Sequence, residues 1–485
     1  MQIQSLHKIF MLVVFFMSIT ISMIGTSLAD SITNSEVKDR YTLDKFISES
    51  IDKYTGLSIA ALNVKKLAYE SDKAMSQLGW VLTSQGGYSK NASTLGIQSD
   101  TVDFGVGLEK QLESGHTVSL TGRYEHTDSE QVLFGLSPNP SDTTNIDLNY
   151  RIPLLEGSDN LQYQFDLNKA DIERKIAELD KQKIKEELIL QLIDIFYVVA
   201  TIDSRLDTAK KSILRAKRLR KHIHNNIELG LLEKGEILQI DSQIYTLKLE
   251  YQKILDLKEK QVIAINRFLK RPYAEPFVVD VLDSYHDRTL TDSAKIFLNV
   301  KNHNYDVAKL RLQAELLDSA LSLSRNREKD KLDLVMSMGV QNRSGNTSTG
   351  SIDDTDTTGM IRFEYRNALD KRAFSANRLQ IQIDRETNSE NLASVSDDLK
   401  YDTYNLINQI EKSKKLVSIT SKRIETEQKK YNDILKRFKN GRSTTNIVIQ
   451  FDNERIRAEL DFDTERFELA RRINTLRIKQ GSYTY

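Results

Sequence analysis

Two histidines, His222 and His224, stand among the cations Lys217, Arg218, Arg220 and Lys221, a set of side chains that could bind a metal ion or an anion. On a helix, however, residues two apart do not share a face, so the two imidazoles would not close on one ion. The cationic run reads as the solvated face of a helix end. The wider sequence offers no His-Glu-x-x-His, no phosphate-cradling glycine loop and no nucleophile placed with its base, so it carries no enzyme signature. The complete absence of cysteine removes thiol catalysis, cysteine-ligated zinc, disulfides and lipid attachment to a terminal cysteine together. No cofactor or metal is implied.

Charge and address narrow the class further. Lys plus Arg and Asp plus Glu both number 69, a formal net charge of +0 that argues against general nucleic-acid binding. Residues 1–29 read as a cleavable secretory signal: cations at His7 and Lys8, an apolar run over 9–24, and Ser27-Leu28-Ala29 before Asp30. A membrane anchor is the alternative, but that run is shorter than the roughly 20 residues of a spanning helix and contains Ser18, Thr20 and Ser22. No later stretch is apolar enough to span as a helix. The mature chain is therefore expected to be exported, and any membrane span to be made of strands.

With so little chemistry in the side chains, the elements themselves carry the information. Leu192, Ile195, Val199, Ile202, Leu206, Ala209, Ile213 and Ala216 recur at alternating spacings of three and four, the seam of a coiled coil. They lie in a stretch, about 160–229, without proline or glycine; some 70 helical residues would make a rod of roughly 100 Å. Gly230 and Gly235 then mark a tight reversal. A return helix over about 236–270, with its own seam of Ile237, Ile240, Ile244, Leu247, Tyr251 and Ile254, ends at Arg271-Pro272. Upstream, Thr42 caps a short helix over 43–54, Gly56 punctuates it, and a second helix covers 57–78.

Between 79 and 152 the period changes from 3.6 to 2. Val102, Phe104, Val106 and Leu108 alternate with Asp103, Gly105, Gly107 and Glu109, and Val118, Leu120, Tyr124, then Ile146, Leu148, Tyr150 and Ile152, repeat the pattern. A soluble sandwich and a lipid-facing barrel wall both fit such writing.

The second half restates this plan. Ile146-Asp147-Leu148-Asn149-Tyr150-Arg151 is matched by Ile361-Arg362-Phe363-Glu364-Tyr365-Arg366, and Gly230 with Ile237-Leu238-Gln239-Ile240-Asp241 by Gly441 with Val448-Ile449-Gln450-Phe451-Asp452. The offsets, 365 − 150 = 215 and 441 − 230 = 211, nearly agree, which argues for a tandem duplication. The expected division is a signal (1–29), a first repeat (30–272, strands about 79–152, helical hairpin about 158–270), a connector (273–290) and a second repeat (291–485, strands about 332–366, hairpin about 370–480). Within the second repeat, residues 332–340 alternate as a strand, 344–356 read as a polar loop and 357–366 as a strand. The alternating hairpin between Thr101 and His126 has no counterpart in the second half, so each chain is expected to hold four strands from its first half and two from its second, the alternative being that this hairpin folds outside the wall.

In this order and duplication, with Tyr150-Arg151-Ile152-Pro153-Leu154-Leu155-Glu156-Gly157 after the strands, the mature chain resembles the TolC-like outer-membrane factor family. The resemblance implies a mainly α fold with a β region: duplicated helical hairpins forming a periplasmic α-barrel, continued by an outer-membrane β-barrel in a homotrimer. The family usually contributes two strands from each half, so four plus two would make a wider barrel. It also implies a channel serving efflux or type I secretion, a periplasmic adaptor (membrane fusion) protein, and an inner-membrane pump or ABC exporter as partners. Residues 230–235 and 441–445 become the tips where the adaptor docks and the channel opens, with Gly230, Gly235, Glu236, Gly441, Arg442, Asn446 and Gln450 as tip residues. Ile447 and Gln450 stand where the family carries acidic groups, and Ala368 where the first half has Pro153. The competing reading is an exported, non-channel coiled-coil scaffold of the periplasm.

Overall fold

The computed structural model describes residues 40–92, 98–130, 137–281 and 292–482. The signal assigned to 1–29 lies outside the described residues. In chain order the elements are β1 (Arg40–Tyr41), α1 (Leu43–Lys53), α2 (Thr55–Met75), β2 (Trp80–Ala92), β3 (Gln98–Gln111), β4 (Thr117–Ser129), β5 (Ser141–Pro153), α3 (Leu161–Glu228) and α4 (Glu236–Phe268). The second half adds β6 (Val278–Val279), α5 (Ser293–His303), α6 (Tyr305–Arg327), β7 (Lys331–Thr347), β8 (Gly350–Arg366), α7 (Arg372–Lys439) and α8 (Thr445–Lys479). The two long helices α3 and α7 are each 68 residues, unbroken because neither holds proline or glycine. Among the described residues no helix is long and apolar enough to cross a membrane.

The chain forms two units, one of residues 55–186 and 292–404, the other of 1–54, 187–291 and 405–485. The first unit holds the sheet, in the order β2-β3-β4-β5-β7-β8 with every neighbouring pair antiparallel. Here the structure corrects the polar loop expected over 344–356. β7 and β8 pair without a break up to Thr347 opposite Gly350, Asn342 donates to Asp353 (2.9 Å) and Thr355 (3.0 Å), and only Ser348 and Thr349 turn. Apart from Ile352, both faces of this stretch are hydrophilic, so its strands have no apolar alternation to betray them; the backbone ladder and cross-strand side-chain bonds hold them instead. After Pro153 the chain leaves the sheet through Gly157 (φ +90°), and Gly115 (φ +82°) lies so close that a Cβ there would be 2.5 Å from the Gly157 carbonyl. Helices α5 and α6 lie along the adjoining part of α3, tied by Lys183 to Asp306 (2.8 Å) and Asn168 to Ser319 (2.8 Å).

The second unit is helical. The Thr42 hydroxyl accepts from the Lys45 N–H and caps α1 as the sequence indicates, but Tyr54, in extended conformation, breaks the helix. Gly56 lies inside the first turn of α2, where it interrupts nothing. Of the expected connector over 273–290, residues 282–290 lie outside the described residues; in the described part β6 pairs in parallel with β1, and Phe277 joins Phe46 (centroids 5.3 Å apart) and Phe196 of α3 in a buried aromatic group. Two-residue strands leave too short a pattern to read from sequence.

Candidate channel elements

Alternation along each strand puts two chemically opposite faces on the sheet. Across one face run Leu82, Leu108, Leu120, Leu148 and Met338, successive partners on five strands. Across the other run Gln85, Gly105, Arg123, Asn145, Gln341 and Asp356 on all six. Among the described residues nothing covers the apolar face: Phe104, Ile146, Leu148, Met338 and Ile361 are all more than half exposed. So large a contiguous apolar surface requires lipid or another protein against it.

The seam of α3 lies in the helical unit. Leu192, Val199, Ile202 and Leu206 are buried, while Ile195 and Ile213 are only half-buried. Ile193, Phe196, Ala200, Thr208 and Ser212 are buried as well, so the helix carries a second covered stripe beside the expected one. The reason is that α3 has two helical neighbours. Ile202, Leu206 and Ala209 pack on Ile254 of α4, whereas Asp194, Tyr197, Ser204 and Arg215 bond to Arg471, Asn474, Asp463 and Asp452 of α8. Serine and threonine on that second stripe conceal it from a hydrophobicity reading.

At the far end of the seam both reversals end in the same geometry. Gly230 and Gly441 each adopt φ +71°. Gly230 N–H donates to Ile227 and Leu231 N–H to Asn226, matched by Gly441 N–H to Phe438 and Arg442 N–H to Arg437. These are two Schellman caps, in which the left-handed residue satisfies the last carbonyls of the helix. Gly235 departs from the expected pairing of glycines: its φ of −66° is helical, and Gly230 alone makes the turn. Ile223, Ile240, Phe438 and Val448, one from each helix of the two hairpins, form a common buried core that brings the tips together. Glu236 is half-buried with one carboxylate oxygen bonded to nothing among the described residues, and Arg442, Asn446 and Gln450 are exposed. The first tip presents the exposed leucines Leu229, Leu231 and Leu238; the second presents Asn440, Arg442 and Asn446.

His222 and His224 are held apart. His222 packs on the Phe438 ring and meets Asn226, while His224 faces Glu228 in solvent. Among the described residues no group of three or more His, Asp or Glu side chains could hold a metal ion. Next to them Arg220 clasps Asp241 at 2.5 and 3.1 Å, and this bond holds the Asp241 carboxyl below its ordinary range. Sequence reasoning missed a buried cluster in which Asp452 of α8 accepts from Arg215 (3.1 Å) and Arg455 (3.2 Å), with Arg455 also reaching Gln428 (3.0 Å) of α7.

No family model matches the sequence, and no curated protein does. Solved structures do. The outer-membrane channel OprN superposes with a TM-score of 0.64 over 91% of this chain and 90% of its own, at 12% identity. The fold is TolC-like. VceC, an outer membrane protein of Vibrio cholerae, gives a TM-score of 0.62 at 11% identity over 90% of this chain and 95% of its own. The CmeC outer membrane channel of Campylobacter jejuni gives 0.61 at 14% identity, covering 90% and 85%. At such identities the likeness lies in the backbone plan, and the TolC-like fold accounts for the sheet and the paired hairpins of this chain.

Proposed function

We propose that this protein is the outer-membrane channel of an export assembly, giving substrates passive passage from the periplasm to the exterior. What carries the reading is the union, in one chain with a TolC-like fold, of an uncovered apolar sheet face and two hairpins with matching glycine-capped tips. Six strands are fewer than the roughly eight that close a membrane barrel, and β2 and β8 are edge strands within the chain, so several copies, three by resemblance, must complete the wall. A periplasmic adaptor, backed by an inner-membrane pump or ABC exporter, would dock at the tips around Gly230 and Gly441. A periplasmic scaffold has no use for a sheet that offers leucine and phenylalanine to its surroundings.

Fractionation tests the address: a heat-modifiable trimer in the outer membrane is expected, and a water-soluble monomer would overturn the reading. Two glycine variants test the tips. Gly441→Val forces a β-branched residue into the left-handed region, at a local cost of roughly 1–3 kcal/mol, while no atom lies within 4 Å of the added Cβ. The expected variant inserts as a normal trimer, cross-links poorly to its adaptor and fails to complement export. Gly235→Ala, at a helical φ in open space, should behave as wild type. Loss of the trimer in Gly441→Val, or untouched export, would remove Gly441 from the docking tip.

A further inference from the structure

The first half of the chain gives the sheet two hairpins and the second half one, so β3 and β4 stand outside the duplicated plan. Such a hairpin could hang in water above a narrower wall, and its register opposes this. Leu108 lies opposite Leu82 and Leu120, and Leu120 opposite Leu148, so the apolar row passes through the hairpin without a slip. A shift of one residue would have turned every one of these side chains to the other face.

The apolar band of the hairpin extends past that of its neighbours rather than stopping short of it. It ends at Val102 of β3, level with Asp142 and Ser344, and at Tyr124 of β4, level with Thr144 and Asn342, whereas in β5 and β7 it ends earlier, at Ile146 and Val340. From Leu108 to Val102 the band runs about 20 Å along the strand at about 3.3 Å per residue, the same length as the run from Ile152 to Ile146 in β5. Tilted by about 40°, that is roughly 15 Å of height, within the apolar band of about 25 Å of a membrane barrel. On the opposite face the hairpin is hydrophilic and thin, with Gly105 and Gly107 flanked by Thr83, Thr121 and Arg123.

We infer that β3 and β4 are wall strands, with Phe104, Leu108 and Leu120 against lipid hydrocarbon, so that each chain gives six strands and three copies close a barrel of eighteen. This rests on the channel reading above. An even number of strands leaves β2 and β8 running in opposite directions, so the edge of one copy meets the next antiparallel, as every pair within the chain already does. With strands about 4.8 Å apart and tilted about 40°, eighteen of them enclose roughly 36 Å between backbones, in the class of barrels that keep an aqueous channel. Such a bore accepts hydrated cargo as wide as a polypeptide helix of about 10–12 Å.

The chain has no cysteine, so single replacements give single thiols. Phe104→Cys and Leu120→Cys probe the hairpin, Leu148→Cys and Met338→Cys the strands beside it, and Asn145→Cys the opposite face; trimers in native membranes would be treated with a lipid-soluble or a charged maleimide. The four apolar-face thiols are expected to react with the lipid-soluble reagent at matching rates and to resist the charged one, with Asn145→Cys showing the reverse. If Leu148→Cys and Met338→Cys react from lipid while Phe104→Cys and Leu120→Cys react only from water, the hairpin is no part of the wall and the eighteen-stranded barrel falls, with the channel reading intact. If all four react only from water, the channel reading itself fails.

Discussion

Replacing Leu206 by glutamate is expected to destabilise the helical unit by several kcal/mol and to abolish assembly rather than merely slow transport. Leu206 is 7% exposed and packed with Ile202, Ala209 and Ile254, with Tyr251 and Leu255 closing the site. Truncating a leucine in such a place costs about 2–5 kcal/mol through lost transfer energy and the cavity left behind. The glutamate adds a carboxylate to an apolar cluster beside which Lys210, one turn along α3, already lies over the Tyr251 ring, and its burial is worth several kcal/mol more unless the group leaves the cluster or takes up a proton. The sign with pH follows. A buried, unpaired carboxyl has its folded-state pKa raised, so the variant's deficit against wild type is fully present above that raised value and shrinks as pH falls toward the unfolded value of about 4.3. Leu206→Met keeps volume and apolarity and should cost less than about 1.5 kcal/mol. Urea unfolding of each variant at two pH values reads all of this. An unfolding midpoint for Leu206→Glu equal to that of Leu206→Met would mean that α3 and α4 do not pack through this seam.

The parts legible in the sequence are those where one physical cause dominates a long stretch. Helices α3 and α7 end where the sequence places them because nothing inside them breaks a helix and a glycine is needed just beyond. The strands from Val102 to Ile152 declare themselves because one face is apolar and the other is not. Where both faces meet water, over 344–356, the same strands vanish from the sequence although their backbone pairing continues. Gly235 misleads in the opposite way, since a glycine permits a turn without requiring one. The tip residues Gly230 and Gly441 follow from the caps alone, whereas Glu236, Arg442, Asn446 and Gln450 have positions but no chemistry that the chain by itself explains. The second buried stripe of α3 went unseen because Thr208 and Ser212 are polar by type and buried only by their neighbours.

The duplicated positions Asp241 and Asp452, 452 − 241 = 211 residues apart, show how far context departs from type, and they yield the last expected result. Asp241 meets Arg220 at the surface, with both side chains well solvated, and removing such a pair costs about 0–1 kcal/mol. Asp452 is 12% exposed in its side chain, between Arg455 at 10% and Arg215 at 21%, and Arg455 stacks over the Tyr431 ring of α7. That carboxylate therefore neutralises two guanidinium groups that have little water of their own, across three of the four helices near the tips. Asp452→Ala is expected to cost about 3–5 kcal/mol, because it strands Arg215 and leaves Arg455 only the longer contact to Glu459 (3.6 Å), while Asp241→Ala should fall within the surface range. Most of the Asp452→Ala loss would be a penalty of unpaired charge, so a triple variant Arg215→Met, Asp452→Leu, Arg455→Met should recover part of it, less the cost of leaving Glu459 without Arg455. Thermal and urea unfolding of the single variants and the triple variant decide the matter. Equal losses at Asp241 and Asp452 would show that the two duplicated carboxylates have the same surroundings, and that the buried arginine cluster does not hold the hairpins together.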